Sequence, residues 1–148
     1  MTQNVELKRA EAQHVIAMRD ILSDYRDVET LFDEVESFLA GQGIEAAGPR
    51  IILFYDTLED RDIEASAAIP IAEPLPERPP VDEPLMLDTL PAADTLACLR
   101  HEGGYDTLGE SYDVLREWAA EHGYWEVGPR RVVERDGKME MQLPVEKR

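Results

Sequence analysis

Two stretches of this chain repeat one another at a spacing of 80 residues, and that repeat limits the fold more than any other feature. Gly43 aligns with Gly123, Gly48-Pro49-Arg50 with Gly128-Pro129-Arg130, Tyr25 with Tyr105, Asp33 with Asp113 and Ala40 with Ala120. Conservative pairs fill the spaces: Phe32 with Tyr112, Val35 with Leu115, Phe38 with Trp118 and Ile52 with Val132. After a shorter loop in the second copy, Ile69-Pro70-Ile71 meets Leu143-Pro144-Val145. A helix, a turn and a strand that recur in order predict two like units.

Each unit reads as β-α-β-β. It opens with an extended stretch, residues 5–18 in the first half and 85–99 in the second, where Val15, Ile16, Met18 and Leu96, Cys98, Leu99 suit strands interrupted by a bulge or bend. A helix follows, because Val28, Leu31, Phe32, Val35, Phe38 and Leu39, and then Leu108, Tyr112, Leu115, Trp118 and Ala119, recur at helical spacing. Asp27 is the expected N-cap of the first helix, and Thr107 with Glu110 a capping box for the second. Gly41, Gly43 and Gly123 are expected to close the helices with positive φ. Two strands then pair: residues 51–55 with 63–71, and 131–134 with 139–145, the second pair joined at Asp136-Gly137, a strong hairpin signal.

Residues 73–84 hold Pro74, Pro76, Pro79, Pro80 and Pro84, and read as a stiff, extended linker. The expected organisation is therefore a first module over residues 1–73, a linker over 74–84 and a second module over 85–148. The fold class is α+β, with an antiparallel sheet and a pseudo-two-fold axis. The seam between such halves is a usual place for a ligand cavity.

The net charge of −17, from 32 acidic against 15 basic residues, opposes direct nucleic-acid binding, which needs cations to displace counterions. It serves solubility in the first place, and on a sharper reading it favours a cationic ligand or a basic protein partner. No apolar run approaches the roughly 20 residues that span a bilayer, and the first residues lack the pattern of a secretory signal. With Cys98 as the only cysteine, neither an internal disulfide nor a cysteine metal cage can form. The histidines His14, His101 and His122 lack zinc-ligand spacing, and no cofactor motif is present. The expectation is a soluble, cytoplasmic binder without metal or cofactor.

The second half carries a further signal. His101-Glu102-Gly103-Gly104-Tyr105-Asp106-Thr107-Leu108 precedes Tyr112, Leu115 and Trp118. His122-Gly123-Tyr124, Gly128-Pro129 and Met139-Glu140-Met141-Gln142-Leu143-Pro144-Val145 follow. This run resembles the GyrI-like family, the effector-binding domain also fused to MerR-type and AraC-type activators. Gly48-Pro49, Phe54-Tyr55-Asp56, Ile63-Glu64 and Pro70-Ile71 extend the resemblance into the first half. It implies paired β-α-β-β modules of SHS2-like form around an aromatic-lined cavity. It also implies binding of lipophilic, often cationic, small molecules against a buried acid. Other members imply two alternatives: hydrolysis of strained cyclopropane compounds, or a protein partner such as gyrase or a regulator. No helix-turn-helix pattern precedes Val5, so a DNA reader is expected on another chain, if anywhere.

Relatives often carry Glu and Tyr where this chain has Val132 and Glu134. Either the acid has moved two residues along the same strand face, or Glu134 is a surface residue and the anchor is lost. Glu134 and Glu140 are accordingly the candidate anionic anchors. A carboxylate in an apolar cavity suffers desolvation that a cationic ligand relieves. Tyr105, Tyr112, Trp118, Trp125, Phe54 and Tyr55 are the candidate aromatic walls, able to sandwich a flat ligand or hold a cation. No catalytic residue is assigned; a hydrolase would use Glu134 or Glu140 as general base.

Overall fold

The computed structural model describes residues 5–55, 63–72 and 85–148. The linker expected over 74–84 and the loop over 56–62 lie outside the described residues. The first half supplies β1 (Glu6–Ala10), β2 (Gln13–Leu22), α1 (Val28–Gln42), β3 (Arg50–Phe54) and β4 (Ile63–Pro70). The second supplies β5 (Leu85–Leu90), β6 (Ala93–His101), α2 (Leu108–Glu121), β7 (Tyr124–Glu126), β8 (Arg130–Arg135) and β9 (Lys138–Lys147). Among the described residues the strands form one antiparallel sheet in the order β1-β6-β9-β8-β3-β4-β2-β5, with β7 added against β9.

The repeat is visible in the strand pairing. Across the seam between β3 and β8, Ile52 faces Val132, its own mate in the 80-residue repeat, so the pseudo-two-fold axis passes between them. Outward from the axis, the pair Ile51 and Ala68 has its counterpart in Arg131 and Gln142. Further out, Ala17 with Met86 corresponds to Cys98 with Glu6. The two halves are interleaved: β1 leaves its own half to pair with β6, and β5 pairs with β2. The expected interruption of each opening stretch falls at Glu11-Ala12 and Pro91-Ala92, where the chain turns from one ladder into another.

Alternation along the strands sorts the side chains onto two faces. Ile16, Ile52, Phe54, Ala67, Leu99, Val132, Met141 and Leu143 point toward the helices. There they meet Leu31, Phe32, Val35 and Leu39 of α1, and Leu108, Tyr112, Leu115 and Ala119 of α2. The opposite face carries a smaller cluster of Val15, Ala17, Ile51, Leu53, Ala68 and Leu90.

Three local expectations are corrected. Asp27 and Thr107 make no side-chain capping bond to their helices, because each helix is entered through a 3₁₀ turn that moves the cap upstream. Asp24 caps the first of these turns through the Arg26 amide, while Thr107 donates to the Gly104 carbonyl. Gly41 lies within α1, and the left-handed closing residue is Gly43, with φ of 66°. The hairpin reading at Asp136-Gly137 stands, with φ of 54° and 76° at the two turn residues, the signature of a type I′ turn.

Candidate functional site

The face turned away from the helices holds a cavity of about 570 Å³. Val15, Ala17, Leu53, Tyr55 and Ser66 of the first half form one side. The β5–β6 turn, Val127-Gly128-Pro129, Arg131 and the end of β9 close the other. Its floor is a row of side chains crossing three strands. Ser66 faces Leu53, and Leu53 faces Arg131. Neighbours in a row share a face, so Ser66 and Arg131 flank Leu53 at backbone positions roughly 10 Å apart.

Two members of that row are unusual for a sheet interior. Arg131 is 6% exposed and Ser66 1% exposed. The Arg131 side chain donates to the Pro91 carbonyl at 3.1 Å, and among the described residues no carboxylate pairs with it. Burial pulls its guanidinium below the ordinary arginine value, and it remains a cation. The Ser66 hydroxyl lies beside the Tyr55 phenol, with which it makes at most a loose hydrogen bond. Tyr55 completes the polar side of the cavity. Arg19 lies over its ring at 3.7 Å, and burial raises its phenol above the ordinary value.

Of the residues singled out from the sequence, Tyr55 lines this cavity. Glu140 shares the same sheet face beside it, where Lys8 binds its carboxylate at 2.8 Å and Gln142 donates at 2.7 Å. Burial acts to raise the Glu140 carboxyl, but the Lys8 and Gln142 hydrogen bonds outweigh it and hold the group below the ordinary carboxylate value. Cys98 is buried nearby, its thiol pushed up to about 12 chiefly by burial, so it is protonated and a poor nucleophile.

The others lie on the helix side or at the surface. Phe54 is 3% exposed in the core, edge-on to Tyr25 at 5.5 Å. Tyr112 donates to both oxygens of Glu126 at 2.9 Å and lies under Arg130 at 4.1 Å. Trp118 stacks between His122 at 4.2 Å and Tyr124 at 5.6 Å. Trp125 is exposed beneath Arg148.

Glu134 and Tyr105 meet in a polar cluster that bridges the halves. Arg50 donates to both oxygens of Glu29 at 3.0 Å and approaches Glu134 at 3.5 Å, its guanidinium stacked over Phe32 at 3.9 Å. The Tyr105 hydroxyl donates to Glu29, and to Glu134 at 3.3 Å. Burial and both carboxylates push the Tyr105 phenol well up, so it acts as a fixed donor. For Glu29 burial works upward, yet the Tyr105 and Arg50 hydrogen bonds win and place the carboxyl below its ordinary value of 4.5. A carboxyl lowered in the folded state stabilises fully above its unfolded pKa, and that contribution disappears as pH falls through the folded one. The stability difference between the wild-type chain and Glu29→Gln is therefore expected to stay constant above roughly pH 5.5 and to shrink below roughly pH 4. Urea midpoints across pH read this directly.

Arg131 and Ser66 were passed over by motif reasoning, yet two signals mark them. Arg131 occupies the position of Ile51 in the repeat, and Ser66 interrupts the run of apolar residues from Ala65 to Pro70.

Comparisons extend this picture. The family model described as the GyrI-like small molecule binding domain matches residues 3–145. No curated protein sequence matches the chain. Among solved structures, the EcmrR C-terminal domain superposes with a TM-score of 0.86 at 20% identity, over 100% of both chains. In the EcmrR–DNA complex the TM-score is 0.84 at 19% identity, and this chain spans 58% of that protein's length. A hydrolase from Listeria innocua shares the fold at a TM-score of 0.67 and 12% identity, over 97% of this chain and 92% of that one. SAV2435 bound to tetraphenylphosphonium does so at 0.55 and 10%, over 97% and 94%. Identities this low speak to the fold alone.

Proposed function

The chain belongs to the GyrI-like small molecule binding domain family, and we propose that it holds a lipophilic organic molecule on the sheet face turned away from its helices, in the cavity shared by its halves. The observation that carries this reading is the cavity itself. Its volume of about 570 Å³ sits within the usual range for a small-molecule site. Val15, Ala17, Leu53 and Leu90 give it apolar walls, Tyr55 offers a flat ring, and Ser66, Arg131 and a charged rim of Asp88, Asp94, Glu146 and Lys147 supply polar groups. The full-length likeness to the EcmrR C-terminal domain supports a role as an effector-binding unit, whose occupancy a DNA-reading unit would sense.

A second reading, capture of a lipophilic cation, draws on Asp88, Asp94 and Glu146, which are exposed along the cavity. It also draws on the net charge of −17 and the tetraphenylphosphonium held by SAV2435. Against it, the two candidate internal anchors already have cations of their own: Glu134 has Arg50, and Glu140 has Lys8. The same pairing weakens the hydrolase alternative, since Glu140, held below the ordinary carboxylate value, is a poor general base.

The test is a fluorescence titration with N-phenyl-1-naphthylamine, an uncharged lipophilic probe, alongside a rhodamine cation. The expected result is saturable binding of the uncharged probe at one site per chain, with a dissociation constant of about 1–10 μM. Failure of every lipophilic probe, charged or not, to saturate would remove the reading.

A further inference from the structure

We infer that the molecule this cavity selects carries a carboxylate or another oxyanion on its lipophilic body, with Arg131 as the recognising group and Ser66 as an auxiliary donor. The inference rests on the cavity being the binding site and adds the ligand's charge and the direction in which it enters.

The argument starts from what a buried guanidinium needs. Arg131 is 6% exposed and lines the cavity, so its N–H groups have largely lost bulk water. The Pro91 carbonyl takes one donor. An arginine presents five donors in a rigid fork, and among the described residues no further hydrogen bond or ion pair to this side chain occurs. A cation that is buried and unmatched is strongly unfavourable, which is why such groups are normally paired. Arg50 follows the rule with Glu29 and Glu134, whereas the buried Arg130 has no carboxylate among the described residues and is held between the rings of Phe54 at 5.3 Å and Tyr112 at 4.1 Å. Arg131 alone among these three faces the cavity.

Ser66 supplies a second, weaker indication. Its hydroxyl is buried in the same cavity wall, where the Tyr55 phenol is at most a loose partner. It lies one strand beyond Leu53 in the row that leads to Arg131. A ligand whose apolar body covers Leu53 therefore finds a hydrogen-bonding group at each end of that row, and the stronger of the two is a cation. Planar oxyanions fit a guanidinium fork bidentately, which adds geometric selection to charge.

The acidic character of the protein does not overturn this. Asp88, Asp94 and Glu146 line the cavity but are exposed, and none pairs with Arg131. Exposed charges act through water and are screened over roughly 8 Å at physiological salt, whereas a desolvated pair in contact is not. The expected consequence is slow entry of an anion and firm retention once Arg131 engages it.

A matched pair of probes tests the inference. 8-Anilino-1-naphthalenesulfonate and N-phenyl-1-naphthylamine share one aromatic body and differ by the sulfonate. The full-length wild-type chain is expected to bind the sulfonate at least about tenfold more tightly. Arg131→Met should abolish that preference, with the near-ultraviolet circular dichroism of the same sample showing that the chain stays folded. Arg131→Lys should keep part of the preference, since charge remains and the fork is lost. Equal wild-type affinities, a preference for the rhodamine cation over the sulfonate, or a sulfonate preference that persists in Arg131→Met would each overturn the inference. Normal binding of the uncharged probe in those cases would leave the cavity reading intact. Binding of neither naphthalene probe would remove both.

Discussion

Replacing Ala17 with tryptophan is expected to weaken binding of N-phenyl-1-naphthylamine by about a hundredfold or more while the chain stays folded. Ala17 lies on the cavity side of β2, directly between β4 and β5, and its side chain is 3% exposed. An indole at that position projects into the space that a ligand would fill beside Val15 and Leu53. Overpacking a solid core costs about 1–3 kcal/mol, but here the added ring enters an existing void, so the loss of stability should sit at or below the low end. Binding is read by titration and folding by the near-ultraviolet circular dichroism of the same sample. If the variant binds as the wild-type chain does, the probe is elsewhere.

The second large effect concerns the opposite face. Phe32→Ala should lower stability by about 3–5 kcal/mol, the usual loss for a buried aromatic ring. At the roughly 2–4 °C per kcal/mol of a domain this size, the melting temperature should fall by roughly 6–20 °C. Phe32 is 0% exposed in the first half of α1, packed on the sheet. Its ring also carries the Arg50 guanidinium at 3.9 Å, which in turn holds Glu29 and Glu134. Removing the ring opens a cavity and loosens the arginine that ties the halves together on the helix side. Phe38→Ala, at a half-buried position of the same helix, should cost clearly less. Denaturant unfolding of the two variants in parallel checks both values.

These two effects lie on opposite sides of one sheet, and they mark how far the sequence could be read. Helical spacing located α1 and α2, and Asp136-Gly137 located the last hairpin, because both signals are local and act through backbone conformation. The 80-residue repeat anticipated the pseudo-two-fold seam at Ile52 and Val132. What it could not supply was the interleaving of β1 and β5. The partners of those strands lie far along the chain, and either ladder satisfies the same alternation of side chains. The caps at Asp27 and Thr107 shifted because a 3₁₀ entry turn competes with direct capping at no cost visible in composition.

The candidate site was less legible for a related reason. Aromatic residues were singled out because their faces can sandwich a flat ligand or hold a cation, yet their size also makes them the best core fillers. Phe54 and Tyr112 are core residues for that reason, and the stacked Trp118 covers the core's edge. Glu134 and Glu140 were noticed as acids without sight of Arg50 and Lys8, whose pairing depends on register between distant strands. Arg131 directly follows Arg130 in the sequence, with no motif to set it apart. Strand alternation sends these neighbours to opposite faces, one against the rings of Phe54 and Tyr112 and the other into the cavity.

The most direct measurement is a crystal structure of the chain with N-phenyl-1-naphthylamine or its sulfonated counterpart. The account predicts the naphthalene against Leu53 and Tyr55, on the face away from α1 and α2, with the sulfonate within hydrogen-bond distance of Arg131. A ligand lodged between the helices beside Tyr105, Tyr112 and Glu134, with the Arg131 side empty, would contradict it.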